Sequence, residues 1–305
     1  MRIPAGISRF KGVLGSAGLL LTMTALFWGG NTVAGRLAVG EVSPLLLVFL
    51  RWVLVIVVLW PLYGGEVRAH WPEIRRRLPR HVLMGALGYT GFNALFYYAA
   101  HHTVAINMGL LQGSIPAFVL LGAFLAHGVR PGLRQLLGVA ITIVGVAVVA
   151  TRGNPLSLLE VDFNRGDLAL ILACIFYAFY TVMLRDRPQL SGAAFFTLLA
   201  VISAVTSVPL VAFEALAGEL LWPTFNGWLI LIWIAIFPSC LAQLFYLAGV
   251  DQIGPGRAGV YVNLVPVFSA MLAVAVLSEP FSFHHALALV MVIGGIALGQ
   301  RTSVR

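Results

Sequence analysis

The sequence predicts an all-α integral membrane protein whose ten transmembrane helices form two five-helix inverted repeats. Three observations predict this fold: the composition, the spacing of the apolar stretches and a pattern that recurs halfway along the chain. Hydrophobic residues occupy 60% of the 305 positions and charged residues 10%, whereas about a quarter of the residues in a soluble domain are charged. No water-soluble core could enclose so much apolar surface, so we expect the chain to lie in lipid.

Ten apolar stretches follow one another, and each approaches the roughly 20 residues that a helix needs to cross about 30 Å of hydrocarbon. They cover residues 13–37, 43–63, 81–101, 105–127, 132–151, 166–185, 190–214, 227–249, 257–278 and 283–300. Turn signals such as Ser43-Pro44 and Gly254-Pro255-Gly256 separate them. The strict alternation of an outer-membrane barrel strand is missing. The sequence therefore predicts a helical bundle with short loops and no soluble domain.

The basic residues predict the orientation of this bundle. All but four of the 19 Lys and Arg residues fall on one side of the ten-helix arrangement; the four on the other side are Arg36, Arg51, Arg152 and Arg165. Because cytoplasmic loops collect Lys and Arg, both termini are predicted to be cytoplasmic. The formal net charge of +8 is then a topology signal and does not indicate nucleic-acid binding. The first apolar stretch exceeds a typical signal h-region, which favours a retained first helix.

A sequence pattern recurs at an offset of about 149 residues. In chain order the matches are FWGGNTV (27–33) with FYAFYTV (176–182), LFYYAA (95–100) with LFYLAG (244–249), Pro116 with Pro266, and Gly145 with Gly295. The chain is therefore predicted to consist of two five-helix halves, 1–152 and 153–305. Because five is odd, the second half enters the membrane from the opposite side. Inverted repeats place a substrate site near the midplane where the halves meet, so the architecture predicts a transporter.

The same residues resemble a known family over essentially the whole chain. FLRW (49–52) in the second helix, the two LFY segments and the paired prolines are similar to EamA domains of the drug/metabolite transporter superfamily. In the second half Pro266 is followed by Glu279 thirteen residues later, whereas the first half has Val129 in place of that acid. We therefore expect the function of Glu279 not to be duplicated.

Within the superfamily the chain most resembles the bacterial amino-acid exporters of the YddG type. This resemblance implies a multi-pass protein of the bacterial inner membrane that exports aromatic and other neutral amino acids with broad specificity. We also expect a monomer. Its partners would be amino acids and the lipid bilayer. Another small metabolite or a drug-like compound is the alternative substrate, because relatives in the superfamily carry very different molecules.

Polar and aromatic residues inside the predicted helices are the candidates for the substrate site. Taken along the chain, they are Trp28, Asn31, Tyr89, Asn93, Tyr97, Gln112, Tyr177, Tyr180, Ser239, Gln243, Tyr246 and Asn263. Aromatic rings beside amide side chains suit a zwitterion with an apolar side chain, since rings contact the apolar part and amides bind both charged groups. The alternative is that such groups only join helices to one another. The stripe Thr24, Trp28, Asn31 and Gly35, which recurs in the sixth helix, favours the cavity.

Pro116 and Pro266 each remove a backbone hydrogen bond near the middle of a predicted helix. The freed carbonyl could face the substrate, the kink could act as a pivot, or the bend could be purely structural. These three interpretations stay open at the level of the sequence.

The acidic residues indicate how transport would be driven. All Asp and Glu residues fall in loops or at predicted helix ends, whereas the proton relays of pumps are usually buried carboxylates. We therefore expect a downhill or weakly coupled carrier. The chain has no Walker-type phosphate loop, and Cys174 and Cys240 fit neither a metal site nor a disulfide spacing. No cofactor, metal ion or nucleotide is expected.

Two other function classes remain to be weighed. An intramembrane enzyme would need an acid, a nucleophile and a base at depth, and Gly113-Ser114 has no evident base partner. We therefore expect no enzymatic activity. A channel or a structural membrane protein would share the same bundle, but only a carrier shows stimulation of labelled uptake by unlabelled substrate on the opposite side.

Overall fold

The computed structural model describes residues 16–128, 130–151, 153–154, 164–184 and 188–300. Ten helical stretches follow one another in these ranges, and the described residues form no strand. They are α1 (Ala17–Leu37), α2 (Pro44–Ala69), α3 (78–100), α4 (Ala105–His127), α5 (Leu133–Ala150), α6 (Arg165–Met183), α7 (Gly192–Leu216), α8 (Phe225–Ile253), α9 (255–277) and α10 (Phe283–Gln300). A short helix, Trp71–Arg76, joins α2 to α3. The predicted all-α fold is confirmed.

The lengths and hydropathies of these helices are those of a membrane protein. Among the described residues six helices are long and apolar enough to cross a bilayer, namely α1, α2, α4, α6, α7 and α8. Shorter apolar helices occupy α5, α10 and the second part of α9. Large apolar side chains remain exposed on the outside of the bundle; Leu125 and Val290 are examples. Lipid would cover this surface, which a soluble monomer rarely exposes.

The first helices of the two halves are exchanged. Helix α1 packs against α8 and α9, whereas α6 packs against the corresponding α3 and α4. Each half therefore packs its first helix against the other half, and the exchange is reciprocal, as expected for halves related by a pseudo-two-fold axis. Gly88 and Gly91 of α3 permit the contact with α6, because a Cβ atom at these positions would lie 2.4 and 2.9 Å from side-chain atoms of Tyr180 and Phe176.

Helices α2 and α7 run antiparallel and are joined at both ends by a serine and a glutamate. At one end Glu214 accepts hydrogen bonds from the Ser43 hydroxyl (2.6 Å) and from the backbone N–H of Leu45 and Leu46. At the other end Glu66 accepts from the Ser191 hydroxyl (2.8 Å) and from its N–H (2.7 Å). The two pairs are related by the same offset of 148 residues. We call them the Ser–Glu clasps.

A third glutamate caps a helix N-terminus, as Glu66 and Glu214 do. Glu279 accepts from the N–H groups of Ala105 and Ile106 at the start of α4, which is where a helix leaves donors unsatisfied. Its counterpart in the first half, Val129, lies outside the described residues. The expectation that acids stand at helix ends holds for these residues, but Glu214 is buried, with 3% of its surface exposed.

Helices α3 and α8 each contain a π-helical segment near the middle. The segments are Ala86–Gly91 and Ala235–Leu241, and their first residues are 149 positions apart. π-helical turns are rare and recur at functional sites. Because the two halves share this feature, it belongs to the repeat and not to one local sequence.

Helices α4 and α9 are both interrupted, which corrects the expectation for the two prolines. The first pieces end at Gln112 and Val262, and the second pieces begin at Ile115 and Leu264. Pro116 and Pro266 therefore lie in the first turn of a new helical piece. A missing N–H is tolerated there, so neither proline removes a bond from the interior of a continuous helix.

Candidate substrate site

A cavity of about 190 Å³ lies where the two halves meet. Nine of the twelve predicted site residues line it: Trp28, Asn31, Tyr89, Asn93, Gln112, Tyr177, Ser239, Gln243 and Asn263. Pro116 and Pro266 also line it, so the interruptions of α4 and α9 open onto the same space. The participation of these residues in substrate binding stays a prediction.

The three other predicted residues lie behind the wall of the cavity. Tyr97 is buried, and its hydroxyl donates to the Asn31 carbonyl oxygen (3.0 Å). The Tyr180 and Tyr89 hydroxyl oxygens are 3.0 Å apart. The ring of Tyr246 lies 5.5 Å from that of Trp28, centroid to centroid. These side chains support cavity residues without forming the surface themselves.

The helix-1 stripe divides into two parts. The Thr24 hydroxyl donates to the carbonyl oxygens of Leu20 and Ala242, so this residue joins α1 to α8 and does not face the cavity. A Cβ atom on Gly35 would lie 3.4 Å from ring carbons of α3. Only Trp28 and Asn31 of the stripe line the cavity. The expectation of one continuous polar stripe is therefore wrong for its two ends.

The π-helical segments supply part of the wall. The segment of α3 contributes Gly88 and Tyr89, and that of α8 contributes Pro238 and Ser239. The wider turn changes which groups pair: the Ser239 hydroxyl donates to the Ile234 carbonyl, five residues earlier (2.7 Å). The indole N–H of Trp28 donates to the Pro238 carbonyl (3.1 Å). The segment thus fixes one polar and one aromatic residue of the cavity.

Aromatic rings form the apolar part of the wall. The rings of Trp52 and Tyr89 meet edge to face with centroids 5.2 Å apart, and Phe196 lies 5.8 Å from Tyr89. Tyr177 packs 5.3 Å from Phe92. Such arrangements suit the quadrupoles of aromatic rings, and they leave room for an apolar or aromatic ligand group.

Arg51 is the cavity residue that the sequence analysis missed. It was counted among the basic residues outside the cytoplasmic loops, but it lies inside α2, lines the cavity and is only 6% exposed. Its Nε donates to Ser239 Oγ (2.8 Å), and its Nη1 donates to Asn93 Oδ1 (2.6 Å) and to the Tyr97 hydroxyl (2.8 Å). An arginine within the apolar run LLLVFLRWVLVIV was the signal that could have identified it.

The partners of Arg51 are themselves oriented by hydrogen bonds. The Asn93 amide nitrogen donates to the Tyr89 carbonyl (2.6 Å), which turns its oxygen toward Arg51. The hydroxyls of Tyr97 and Ser239 donate to Asn31 and Ile234 and so accept from the guanidinium. Three of the predicted site residues, Asn93, Tyr97 and Ser239, therefore meet at one charged group.

The charge of the cavity is positive. Among the described residues that line it there is no Asp or Glu. An uncompensated charge in a low-dielectric interior costs several kcal/mol, and a charged residue inside a membrane segment marks a functional site by default. The described residues also contain no group of three His, Cys, Asp or Glu side chains that could hold a metal ion. The cavity thus presents a cation together with polar and aromatic side chains.

Comparisons with known proteins give the family. A profile described as the EamA-like transporter family matches residues 15–151 and again 164–299. A solved crystal structure with 20% sequence identity shares the fold, with a TM-score of 0.61 over 94% of this chain and 97% of the other.

The curated relatives are transporters. The uncharacterized transporter YetK of Bacillus subtilis is 25% identical over 88% of this chain and 82% of its own. The uncharacterized transporter YyaM of the same organism is 26% identical over 73% of each chain. The aromatic amino acid exporter YddG of Escherichia coli is 26% identical over 88% of this chain and 87% of its own. With its two repeats and central cavity, the chain belongs to the EamA-like transporter family.

Proposed function

We propose that the protein exports amino acids, aromatic and other neutral ones, across a bacterial inner membrane. The observation that carries this proposal is the central cavity, in which Arg51 lies beside amide side chains and aromatic rings. A cation suits the carboxylate of an amino acid, the amide oxygens suit its ammonium group, and the rings suit an apolar side chain. The printed name of YddG as an aromatic amino acid exporter supports the same substrate class.

Alternating access is the mechanism that the repeat favours. The cavity lies between two halves of opposite orientation, and rocking of such halves exposes a midplane site to each side in turn. The interrupted helices α4 and α9 and the π-helical segments of α3 and α8 all reach the cavity. We expect these positions to change conformation when the halves move.

Transport by purified protein in liposomes tests the proposal. Vesicles loaded with unlabelled phenylalanine should accumulate labelled phenylalanine from outside, because a carrier exchanges substrate across the membrane. Threonine and a panel of other neutral amino acids define the range. Equilibration without stimulation by internal substrate would favour a channel, and transport of other metabolites with no amino acid accepted would contradict amino-acid export.

The proposed orientation has its own test. Because most basic residues fall on one side of the predicted arrangement, we expect both termini in the cytoplasm. A reporter fused after Arg305 that is active only in the cytoplasm should show activity in intact bacteria. Activity of a periplasm-dependent reporter at the same position would contradict the orientation.

A further inference from the structure

We propose that Arg51 binds the carboxylate of the substrate and thereby restricts the cavity to molecules that carry an anionic group. The inference rests on the proposed function of the cavity as a site for small metabolites, and it names the group that the site selects. Four observations support it: the free donors of the guanidinium, its missing counter-charge, its fixed orientation and its absence from the second repeat.

The donors of Arg51 are only partly used. A guanidinium has five N–H groups. Three are used within the protein: Nε bonds Ser239, and Nη1 bonds both Asn93 and Tyr97. Nη2 forms no hydrogen bond with any described residue. The atom is not fully buried, so a ligand can reach it. The two N–H groups of Nη2 therefore remain for ligand oxygens at the cavity wall.

The charge of Arg51 also lacks a partner. No described carboxylate forms an ion pair with it, and Glu66, Glu214 and Glu279 are used at helix ends. A guanidinium stays charged in proteins, so the cavity without ligand holds an uncompensated cation. A carboxylate oxygen at Nη2 would supply both the missing hydrogen bonds and the missing charge, and charge-assisted bonds of this kind are the stronger class.

The guanidinium is held in one orientation before a ligand arrives. Its three acceptors are fixed by their own bonds to Tyr89, Asn31 and Ile234. The Arg51 Cζ atom also lies 5.0 Å from the centre of the Trp52 ring, a cation–π distance. A donor that is already ordered loses little freedom on binding, which favours affinity and selectivity.

The second repeat has no equivalent of Arg51. The offset of 148 residues that relates the two Ser–Glu clasps places Leu199 at the matching position of α7, where it is fully buried. In contrast, the aromatic residue Trp28 of the first half is matched by the aromatic residue Tyr177 of the second half. A ligand with one carboxylate needs one cation, and the single arginine of the cavity matches this requirement.

The inference predicts discrimination between close analogues by the unmodified protein. In the phenylalanine exchange assay, 3-phenylpropionate, which has the carboxylate without the ammonium group, should compete with labelled phenylalanine. Phenethylamine, which has the ammonium group without the carboxylate, should compete at least about tenfold more weakly, since a charge-assisted bond contributes about this factor. Equal competition by phenethylamine and phenylalanine would overturn the inference while leaving amino-acid export intact.

A binding measurement separates the inference from the proposed function. The melting temperature of the detergent-solubilised protein should rise with 3-phenylpropionate and not with phenethylamine. If this holds while no amino acid is transported, the carboxylate site stands and amino-acid export fails. If neither compound changes the melting temperature, or both raise it equally, the carboxylate site fails.

Variants locate the effect at residue 51. Arg51→Gln should lose most of the tenfold preference for the carboxylate, and Arg51→Lys should retain part of it. Arg68→Gln is the matched control: it removes the other arginine of α2, which is exposed and far along the helix from the cavity, and should keep the preference. If folded Arg51→Gln keeps the full preference for the carboxylate, the inference is overturned. If that variant does not fold, the inference is tested by Arg51→Lys and by the competition assay on the unmodified protein.

Discussion

Trp28 and Asn31 each make two kinds of contact. The indole N–H of Trp28 bonds the Pro238 carbonyl across the interface between α1 and α8, while the side chain also lines the cavity. Asn31 accepts from Tyr97 and lines the same cavity. Helix joining and cavity lining are therefore not exclusive for these residues, so a mutation has to be judged by substrate selectivity as well as by stability.

Replacing Trp28 tests whether its ring contacts the substrate. We expect Trp28→Ala to weaken phenylalanine transport about five-fold, because an aromatic contact contributes on the order of 1 kcal/mol, and to affect threonine less. Export of both amino acids is measured beside a melting curve in detergent. Trp28→Phe, which keeps a ring but loses the bond to Pro238, is the control and should retain the preference for phenylalanine. A destabilised Trp28→Ala protein with unchanged substrate preference would contradict a contact with the substrate.

The Asn31 amide tests the polar part of the wall in the same assay. Asn31→Ala removes the acceptor of the Tyr97 hydroxyl, and Tyr97 in turn accepts from Arg51. We expect transport of phenylalanine and threonine to fall together, because both carry the same backbone groups. A loss confined to phenylalanine would contradict a polar contact with the substrate backbone.

Some residues of the cavity could be predicted from the sequence and others could not. Amide and aromatic residues at helical spacing were recognisable as cavity candidates, because few other functions place them inside apolar segments. Arg51 was missed because counting basic residues for topology treats every arginine as a loop charge. Tyr97 and Tyr246 were assigned to the surface of the cavity, since helical periodicity gives the face of a side chain but not its depth.

At the scale of elements, the Ser–Glu clasps join α2 of one half to α7 of the other. Each glutamate accepts a serine hydroxyl and at least one backbone N–H at the start of the neighbouring helix. A carboxylate at a helix N-terminus also interacts favourably with the helix dipole. We therefore expect these two helices to move together.

The two clasps should differ in strength. Glu214→Ala leaves the Ser43 hydroxyl and two N–H groups without their acceptor in a buried site, and we expect it to destabilise the protein by about 3 kcal/mol. Glu66→Ala should cost about 1 kcal/mol, the usual effect of losing a helix cap, because Glu66 is half-buried and water can replace it. Unfolding of both variants in detergent gives the comparison. If both variants lose the same free energy of unfolding, burial does not explain the strength of the Glu214 clasp.

Helices α5 and α10 approach each other through glycines. A Cβ atom on Gly295 would lie 2.5 Å from the Gly138 carbonyl oxygen, whereas one on Gly294 meets nothing within 4 Å. We expect Gly295→Ala to cost about 1–3 kcal/mol through overpacking. The neighbouring Gly294→Ala should be neutral or stabilising by up to about 1 kcal/mol, since alanine favours the helix. The melting temperatures of the two variants, whose substitutions are one position apart, show whether the close approach of α5 and α10 requires glycine at position 295. If Gly295→Ala is as stable as Gly294→Ala, the two helices can move apart without cost.

Periodicity and hydropathy could predict the ten helices, because a membrane span must satisfy its backbone internally and therefore reads as one apolar run. They could not predict the π-helical segments Ala86–Gly91 and Ala235–Leu241. Hydropathy reports how apolar a stretch is and not the width of its turns, so neither segment could be recognised from it. The two prolines indicated an irregularity in α4 and α9, but hydropathy could not show that each helix is interrupted and begins again just before its proline.

At the scale of the whole molecule, a symmetric framework holds an asymmetric charge. Four features occur in both halves: the exchanged first helices α1 and α6, the Ser–Glu clasps, the π-helical segments and the interrupted helices. Arg51 does not, because Leu199 stands at its counterpart position. We expect the framework to supply two related conformations as its halves exchange environments, and we expect the single cation to orient the ligand in the same way in both.

This charge distribution predicts how transport is driven. A proton-coupled carrier usually contains a carboxylate that alternates between protonated and ionised forms at its substrate site. Among the described residues that line this cavity the charged group is Arg51, which keeps its proton throughout. We therefore expect export to follow the substrate gradient. In proteoliposomes, an imposed proton gradient should change the steady-state accumulation of labelled phenylalanine by no more than about two-fold, on the order of 0.4 kcal/mol. A protonophore provides the control, because it should leave the accumulation unchanged. Many-fold accumulation that the protonophore abolishes would contradict this prediction and would direct the search for the proton carrier to Asp167 and Glu214, the buried acids of the described chain.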